Sequence, residues 1–439
     1  MEARSWILAA AVAMTLVTGA NNARGSGATG RLMAGTAKVE ITPPPDVAMS
    51  GYARRPYAKG IHDPLFARVL LLTDGRTSLA LVACDLVWFY SDRVVREARE
   101  QHGLDYVVLC GTHTHSGPSA KAKDWLSETE TKIVAAIGEA KRNVFAAHIG
   151  AGARTFESVY FGYNRRFVGA DGRVTMKWTN PDRIPNGPTD PTVRVLRVDD
   201  DAGKTRALAV HYAAHAVVLG SGNTSISADF PGAAEAYIEE ELGDGAVGMF
   251  LQGGAGDVHP YEAVLNGDEY AFNVVRQTGV SLGKNALSLA KDIEPHAPQG
   301  GASIKVKQSL LRIPHRDDKT NIEDIGVMAV VINDEIALAI ISGEPFVQHQ
   351  LDLAAKSPVA DTFLLGYAYF GKGIPLPTYL PTRKACEEGG YGAAVGSANF
   401  LEVGAGERMI EEAVKSIREL TATPAATSNL AEKENAPDE

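Results

Sequence analysis

Tyr106-Val-Val-Leu-Cys-Gly-Thr-His-Thr-His-Ser-Gly-Pro-Ser119 joins an apolar, strand-like run to a polar segment that contains two histidines. His113 and His115 are two residues apart, so in an extended backbone their side chains leave the same face. Histidine is the usual neutral nitrogen ligand of zinc, at a distance of about 2.0–2.1 Å. A single His-x-His pair can equally be structural, so the interpretation depends on the rest of the chain.

Four further segments also place polar residues where an apolar run ends. They are His211–His215, Gln252–Pro260, Ser342–Pro345 and Thr378–Tyr391. Polar segments at the ends of several strands predict a functional site assembled from their loops. In the first of these segments, His211 and His215 compete as candidate ligands.

The predicted elements alternate irregularly, with two apparent hairpins. This pattern favours an α/β fold with a mixed central β-sheet flanked by helices over a pure βαβ repeat. Residues 163–190, rich in Gly, Asn, Pro and Arg, are predicted to form a long irregular excursion near the site. Strands are predicted over 35–42, 66–72, 78–87, 106–109, 146–162, 192–198, 205–214, 247–251, 302–313, 325–333 and 335–342, and helices over 91–102, 122–142, 229–243, 266–291 and 405–420.

Composition and the termini limit the class of protein. The net charge of −10, with no long basic cluster, argues against nucleic-acid binding. Residues 1–20 have the short basic head, apolar run and small residues of a signal peptide, with a retained anchor as the alternative. We therefore expect export to the periplasm or the extracellular space. A disordered leader at 21–33, one catalytic domain at 34–420 and a disordered tail at 421–439 are expected to follow.

The chain contains three cysteines, Cys84, Cys110 and Cys386, and no Cys-x-x-Cys pair. Cys84 and Cys110 both lie in apolar strand-like runs, which favours buried free thiols. A disulfide between them is the alternative in an oxidising compartment. A metal site made of cysteines is not expected.

Taken in order along the chain, these segments resemble the neutral/alkaline non-lysosomal ceramidase family, over its N-terminal catalytic domain. The resemblance covers about residues 34–420. The matching pieces are Gly35–Pro43, His62–Leu65, Thr112–Pro118, His215 with Ile226–Asp229, Gly256–Val258, Gly343–Glu344 and Tyr379–Thr382.

The resemblance implies an amidase that holds one Zn²⁺ per chain through two histidines, a glutamate and a tyrosine. By motif these ligands are His113, His215, Glu344 and Tyr379. Such nitrogen and oxygen ligands, with one position left open, suit hydrolytic zinc, which lowers the pKa of a bound water to about 7.

The same resemblance places His115, Arg165 of Tyr163-Asn-Arg165, and Tyr391 in the pocket. There they would stabilise an oxyanion or protonate the leaving nitrogen. Each proposed ligand also has a structural interpretation. The histidines could be core or loop residues, Glu344 could be a carboxylate that the dipole favours at a helix start, and the tyrosines could be packed aromatic rings. Asp229 and Asp257 are expected to be helix-cap or turn residues.

Three departures from the family pattern weaken the inference of ceramide as substrate, but not of the fold or the metal. His259 precedes Pro260 where the family has a serine, and it would serve as acid, base, extra ligand or pocket lining. Residues 369–377 form an insertion. After about residue 420 we expect no C-terminal β-sandwich.

We therefore expect an exported zinc-dependent hydrolase that cleaves the amide bond of a small-molecule or lipid N-acyl substrate, with a ceramide-like lipid as one candidate. The alternatives are an esterase or amidase for a polar substrate, such as an acylated sugar or peptidoglycan fragment, and a non-catalytic ligand-binding protein. The acidic chain has no amphipathic basic helix, so no stable membrane association is expected. Only the insertion could supply a small apolar lip, and the sequence gives no oligomeric state.

Overall fold

A computed structural model describes residues 30–53, 57–156, 162–373, 375 and 378–422. The predicted signal peptide, most of the predicted leader and all but the first two residues of the predicted tail lie outside the described residues. Leu32 is already buried, and the first strand begins at Met33. Among the helices in these ranges, none combines the length and the apolar character needed to cross a membrane.

The secondary structure alternates between short strands and longer helices. The first strands are β1 (Met33–Glu40), β2 (Gly60–Ile61), β3 (Phe66–Thr73), β4 (Ser78–Cys84), β5 (Tyr106–Gly111), β6 (Phe145–Thr155), β7 (Gly162–Asn164), β8 (Arg166–Val168), β9 (Val174–Met176), β10 (Thr192–Asp200) and β11 (Thr205–Tyr212). The later strands are β12 (Ser225–Ile226), β13 (Val247–Gln252), β14 (Val258–Pro260), β15 (Ile304–Pro314), β16 (Ile322–Ile332), β17 (Ile336–Ile341), β18 (Glu344–Pro345), β19 (Asp361–Leu365), β20 (Ala368–Tyr369) and β21 (Tyr379–Leu380). The helices are α1 (Asp92–His102), α2 (Lys123–Arg142), α3 (Asp229–Leu242), α4 (Glu269–Ala290), α5 (Val347–Lys356), α6 (Arg383–Glu388) and α7 (Ala405–Thr421).

The largest sheet has nine strands in the order β13-β11-β10-β6-β1-β3-β4-β5-β20. It is mixed: β4 pairs with β5 and β11 with β13 in parallel, whereas the other pairs are antiparallel. Both faces are buried, so β3 and β4 are nearly continuous apolar runs rather than alternating ones. The prediction of a mixed sheet flanked by helices is confirmed.

A second sheet, β15-β16-β17-β19, packs face to face against the first. Met328 and Leu338 of this sheet share one apolar cluster with Leu70 and Met249 of the nine-stranded sheet. Helices α1 to α4 cover the outer face of the large sheet, and α5 and α7 cover that of the small one. The molecule therefore has four layers, helix, sheet, sheet and helix, and the sequence did not indicate that its strands divide between two sheets.

The helix boundaries follow local rules. Ser91 caps α1 by accepting a hydrogen bond from the backbone N–H of Val94 at 3.1 Å, and Gly103 ends the helix in the left-handed conformation. Asp268 caps α4 in the same way through Ala271. These elements were predicted to within a few residues, because capping signals are visible in sequence.

The large sheet curls so strongly that loops far apart in its strand order meet. Five strands separate β11 from β5. Even so, the Gln252 amide at the end of β13 donates to the carbonyls of both Thr112 and Ala214, at 3.3 and 3.0 Å. The polar segments after β5, β11 and β13 are thereby brought to one place.

The three cysteines are free thiols. Cys84 faces the helices that cover the large sheet, whereas Cys110 faces the second sheet. Because their side chains lie on opposite faces of adjacent strands, the disulfide considered as an alternative is not formed.

Candidate metal centre and active site

His113 lies just beyond β5 and is completely buried. Its ring atom Nδ1 lies 2.8 Å from the carbonyl oxygen of Val87, and its backbone N–H donates to Leu86. A carbonyl accepts only, so Nδ1 carries the proton and Nε2 keeps a free lone pair. The residue has φ of 69°, a left-handed conformation that a non-glycine residue adopts at a cost of about 1–3 kcal/mol. Surrounding contacts therefore hold this histidine in place.

His215 lies beyond β11, and its ring is held by the same kind of contact with a backbone carbonyl. Its Nδ1 lies 2.5 Å from the carbonyl oxygen of Ala255, and its backbone N–H donates to Val258 at 3.0 Å. Its Nε2 is buried and has no hydrogen-bond partner among the described residues. Histidines that bind metals typically donate one ring N–H to a protein acceptor and keep the other ring nitrogen for the metal.

Glu344 follows β17 and is placed by a short parallel pairing. Gly343 before it has φ of 94°, which favours glycine. The two-residue strand β18 pairs with β21, which sets Glu344 directly opposite Tyr379. The Glu344 oxygen Oε2 lies 3.4 Å from Nε2 of His113 and 3.4 Å from Nε2 of His215.

These separations fit a metal ion. A tetrahedral site with bonds of about 2.0–2.1 Å has ligand atoms about 3.3 Å apart, longer than a good hydrogen bond. Within the described ranges, neither Glu344 Oε2 nor His215 Nε2 has a hydrogen-bond partner, although both are buried. Buried polar atoms are rarely left this way, so their convergence is what a metal-binding site would require.

His115 adds a third imidazole. Its Nε2 lies 3.1 Å from Nε2 of His113, and one ligand nitrogen from each of the three histidines fits within a 4.8 Å span. Gly51 makes this position possible, since a Cβ there would lie 2.6 Å from the Cβ of His115. The cluster of His113, His115 and His215 could therefore hold a metal ion, with Glu344 beside it.

Arg165 lies between β7 and β8 and is fully buried beside the histidines. Its Nη1 donates to Nε2 of His259 at 2.7 Å, and its Nη2 donates to the Gly256 carbonyl at 2.7 Å. The guanidinium carbon lies 5.0 Å from the ring centre of Trp178 and 5.6 Å from that of Tyr391. A permanent positive charge is therefore fixed close to the histidine cluster by two acceptors and a ring of aromatic side chains.

Both nitrogens of His259 are engaged. Nε2 accepts from Arg165, and Nδ1 lies 3.2 Å from the carbonyl oxygen of Trp178, to which it can donate. Burial, followed by the positive charge of Arg165, lowers the pKa of His259 well below its usual value. The imidazole in the family's serine position is therefore neutral in this arrangement.

The two predicted tyrosines occupy different depths. Tyr379 is buried, and its ring stacks near His215 with centres 6.3 Å apart. Tyr391 is 41% exposed, and its ring meets that of Trp178, which is 42% exposed. Burial and then the charge of Glu344 raise the pKa of both phenols, so each is a hydrogen-bond donor at neutral pH. Tyr391 and Trp178 therefore lie at the rim of the site.

Burial also controls the protonation of the histidines. It lowers the pKa of His215 to about 4 and that of His115 well below its usual value. Neutral imidazoles are the form that binds a cation, so His115 and His215 are already in their ligand form at neutral pH.

Other polar residues that the sequence singled out lie outside this cluster. Nε2 of His211 donates to the Leu364 carbonyl at 2.8 Å, between the two sheets. Asp229 accepts from the backbone N–H groups of Leu219 and Phe230. Asp257 accepts from Asn164 and from the backbone N–H of Val347 at the start of α5. These contacts agree with a cap or turn role for both aspartates.

Two residues near the site escaped the sequence analysis. Tyr367 follows the short strand β19, and its ring centre is 4.1 Å from that of His113. Trp178 lies in the 163–190 excursion, which was expected near the site without a particular residue being named. The signal for Tyr367 was a polar aromatic residue two positions after the apolar run Phe363–Leu365, similar to the pattern at the other strand ends.

Comparisons with known proteins identify a matching family. The model described as "Neutral/alkaline non-lysosomal ceramidase, N-terminal" matches residues 32–269. The chain is 25% identical over 267 residues to neutral ceramidase of Drosophila melanogaster, covering 52% of this chain and 36% of the relative. It is 27% identical over 264 residues to neutral ceramidase A of Dictyostelium discoideum, covering 52% and 35%. The match thus spans well under two thirds of these relatives.

A crystal structure of neutral ceramidase from Pseudomonas aeruginosa has a similar fold. The TM-score is 0.72 at 17% sequence identity, covering 93% of this chain and 77% of that one. A ceramidase complexed with C2 gives a TM-score of 0.69 at 18% identity. At this level of identity the likeness supports the architecture, whereas function must be argued from the site.

Proposed function

The chain belongs to the neutral/alkaline non-lysosomal ceramidase family, and we propose that it is a zinc-dependent hydrolase that cleaves the amide bond of an N-acyl substrate. One observation carries this proposal. Glu344 Oε2 lies 3.4 Å from the inward nitrogens of both His113 and His215, in a buried space. Nitrogen and oxygen donors in this number are typical of catalytic zinc sites.

The proposed ligands of a single zinc ion are His113, His215 and Glu344, with Tyr379 opposite Glu344 as the fourth. His115 is the alternative to Glu344, because its Nε2 lies 3.1 Å from Nε2 of His113, compared with 3.4 Å for Glu344 Oε2. When bound, zinc would lower the pKa of a water molecule to about 7 and polarise a carbonyl group.

Side chains of the protein would supply the remaining catalytic groups. In the reaction, water adds to the carbonyl carbon, the C–N bond breaks, and the nitrogen leaves with a proton as an amine. Arg165 holds a permanent positive charge that stabilises the carbonyl oxygen as it becomes negative. Tyr391 stays protonated at the rim, where it can donate to the leaving nitrogen, and His115 lines the same pocket.

We further propose that His259 positions Arg165 rather than transferring a proton itself. Its Nε2 lone pair is used by the guanidinium, and its Nδ1 proton faces the Trp178 carbonyl. No free atom of the imidazole remains for substrate. The replacement of the family serine therefore keeps a polar contact in the pocket while changing its shape.

The substrate class follows from the family and from the rim. A ceramide-like lipid, and with it a part in sphingolipid metabolism, is what the family name suggests. A polar ester or amide, such as an acylated sugar or peptidoglycan fragment, is the second candidate. The half-exposed Trp178 and Tyr391, together with His259, favour this second candidate. These polar and aromatic side chains differ from the purely apolar lining expected of an acyl-chain groove. Export through residues 1–20 is part of the same proposal.

A substrate screen on the zinc-loaded protein tests the function. It would compare ceramide dispersed in detergent, N-acyl amino acids, acylated amino sugars and simple esters, each with and without prior chelation. Hydrolysis of at least one N-acyl substrate, lost on chelation and restored by zinc, is expected. Turnover that survives complete removal of metal would contradict the proposal, and tight binding without any turnover would favour a non-catalytic protein.

A further inference from the structure

Tyr367 is a fully buried tyrosine whose hydroxyl has no hydrogen-bond partner in the described part of the chain. A buried hydroxyl without a partner destabilises the fold, whereas phenylalanine would fill the same space without that cost. Other tyrosine hydroxyls nearby are satisfied: Tyr163 donates to Lys177, and Tyr369 donates to Asp92. The open hydroxyl of Tyr367 is therefore a local exception.

The backbone fixes this residue between the segments that bear the candidate ligands. Its N–H donates to the Gly343 carbonyl at 2.9 Å, next to Glu344. Its carbonyl accepts from the N–H of Gly111 at 3.1 Å, two residues before His113. The chain crosses here from the small sheet into the large one, with Tyr367 at φ of 55°. A strained, non-glycine residue at such a crossing indicates a position held for function.

The surroundings of the phenol are those of the site itself. Its ring lies 4.1 Å from the His113 ring, between ring centres. A phenol is ordinarily protonated below a pKa of about 10, so this hydroxyl is an O–H donor at neutral pH.

We propose that Tyr367 donates a hydrogen bond to the carbonyl oxygen of the bond that is hydrolysed, and to the negative charge that develops on it. The inference rests on the proposed hydrolytic function of the same site. It adds a neutral donor from the sheet crossing to the cationic one from Arg165. Such a donor, held in place before the substrate arrives, acts most strongly on the transition state.

The test compares the zinc-loaded wild type with Tyr367→Phe and with Tyr369→Phe. The second variant is a matched control, since it removes the same hydroxyl from the same segment but one that is bound to Asp92. Rates would be measured on whichever carbonyl substrate the wild type hydrolyses. Binding of a phosphonate that mimics the attacked carbonyl would be measured by calorimetry, and zinc by elemental analysis.

For Tyr367→Phe we expect kcat to fall by about 100-fold or more, with KM changed by less than about threefold. Phosphonate affinity should fall by a similar factor, while the zinc content and melting temperature stay as in the wild type. Tyr369→Phe should retain both the rate and the affinity of the wild type.

A Tyr367→Phe variant with unchanged kcat and phosphonate affinity would overturn the inference, and so would a loss of zinc in parallel with activity. If the wild type hydrolyses esters but no amides, the proposed amidase function fails, yet the same comparison on the ester still decides the role of Tyr367. A wild type without hydrolysis or phosphonate binding would overturn both.

Discussion

At the scale of single residues, the site depends on side chains whose outer atoms are already satisfied. In both His113 and His215, the Nδ1–H group donates to a backbone carbonyl. This hydrogen bond fixes the ring and leaves Nε2 to bind the proposed metal ion. The motifs named both histidines as candidate ligands. The carbonyls of Val87 and Ala255 could not be, because they lie 26 and 40 residues away and meet the rings only through the fold.

The role of His259 gives a prediction at this scale. His259→Leu removes the acceptor for the Arg165 guanidinium, so kcat/KM should fall by about 10–100-fold with zinc content unchanged. His259→Gln can still present an oxygen to Arg165 and should retain most of the activity. Steady-state kinetics with both variants checks this. Equal, severe losses in both variants, with a shifted pH profile, would show that His259 transfers a proton.

His211 gives a pH-dependent prediction away from the candidate metal centre. Burial lowers the pKa of His211 from 6.5 to about 4. The unfolded chain therefore binds a proton that the folded chain excludes. Stability from this residue is full above pH 6.5 and is lost as pH falls towards 4, by up to about 3 kcal/mol.

His211→Gln keeps a donor for the Leu364 carbonyl but cannot be protonated. Urea unfolding at pH 7 and pH 5 should show a smaller loss of stability in the variant than in the wild type. An unchanged pH dependence would show that His211 is not the group responsible.

At the scale of elements, the sequence predicted the long pieces and missed the short ones. Helices α2 and α7 were found because their apolar residues repeat with helical period over 20 and 17 residues. Strand β19 has five residues and α6 has six, too short for a periodic signal. The division into two sheets depends on pairing between strands far apart in sequence, which the local pattern of apolar residues does not reveal.

A buried charge cluster joins α3 to the large sheet. Arg68 on β3 contacts Asp85 at 3.0 Å and Glu235 at 2.7 Å, and its Nε donates to Glu239 at 3.0 Å. Arg68→Met would leave buried carboxylates without a cation, so the free energy of unfolding should fall by about 3–5 kcal/mol.

Chemical denaturation measures this effect. Arg154→Met is the control, because its pair with Asp292 is exposed to solvent and should contribute less than about 1 kcal/mol. Similar small losses in both variants would mean that protonation of the carboxyl groups compensates for the missing arginine.

At the scale of the whole molecule, the acidic chain offers little for a membrane surface. Of the insertion at 369–377, Tyr369 and Phe370 are each only 4% exposed, so they cannot form an apolar lip. Ile374 and Leu376 lie outside the described residues. We expect no co-sedimentation with zwitterionic or anionic vesicles. Binding that is lost in an Ile374→Ser, Leu376→Ser double variant would contradict this.

The residues of the candidate site were named mainly from the order of their motifs. His113, Glu344 and Arg165 were named because their segments resemble a family, and the structure brings them together at strand ends. Tyr367 has no such motif. Its place near His113 follows from a sheet crossing that only the three-dimensional structure reveals.

Zinc content is the most direct measure of the central claim, that His113, His215 and Glu344 hold one catalytic zinc ion. The protein would be purified without added metal, dialysed and analysed by mass spectrometry, alongside a folded His113→Ala variant. We predict about one equivalent of zinc per chain in the wild type and less than about a tenth in the variant. A folded wild type with less than about a tenth of an equivalent would contradict the claim.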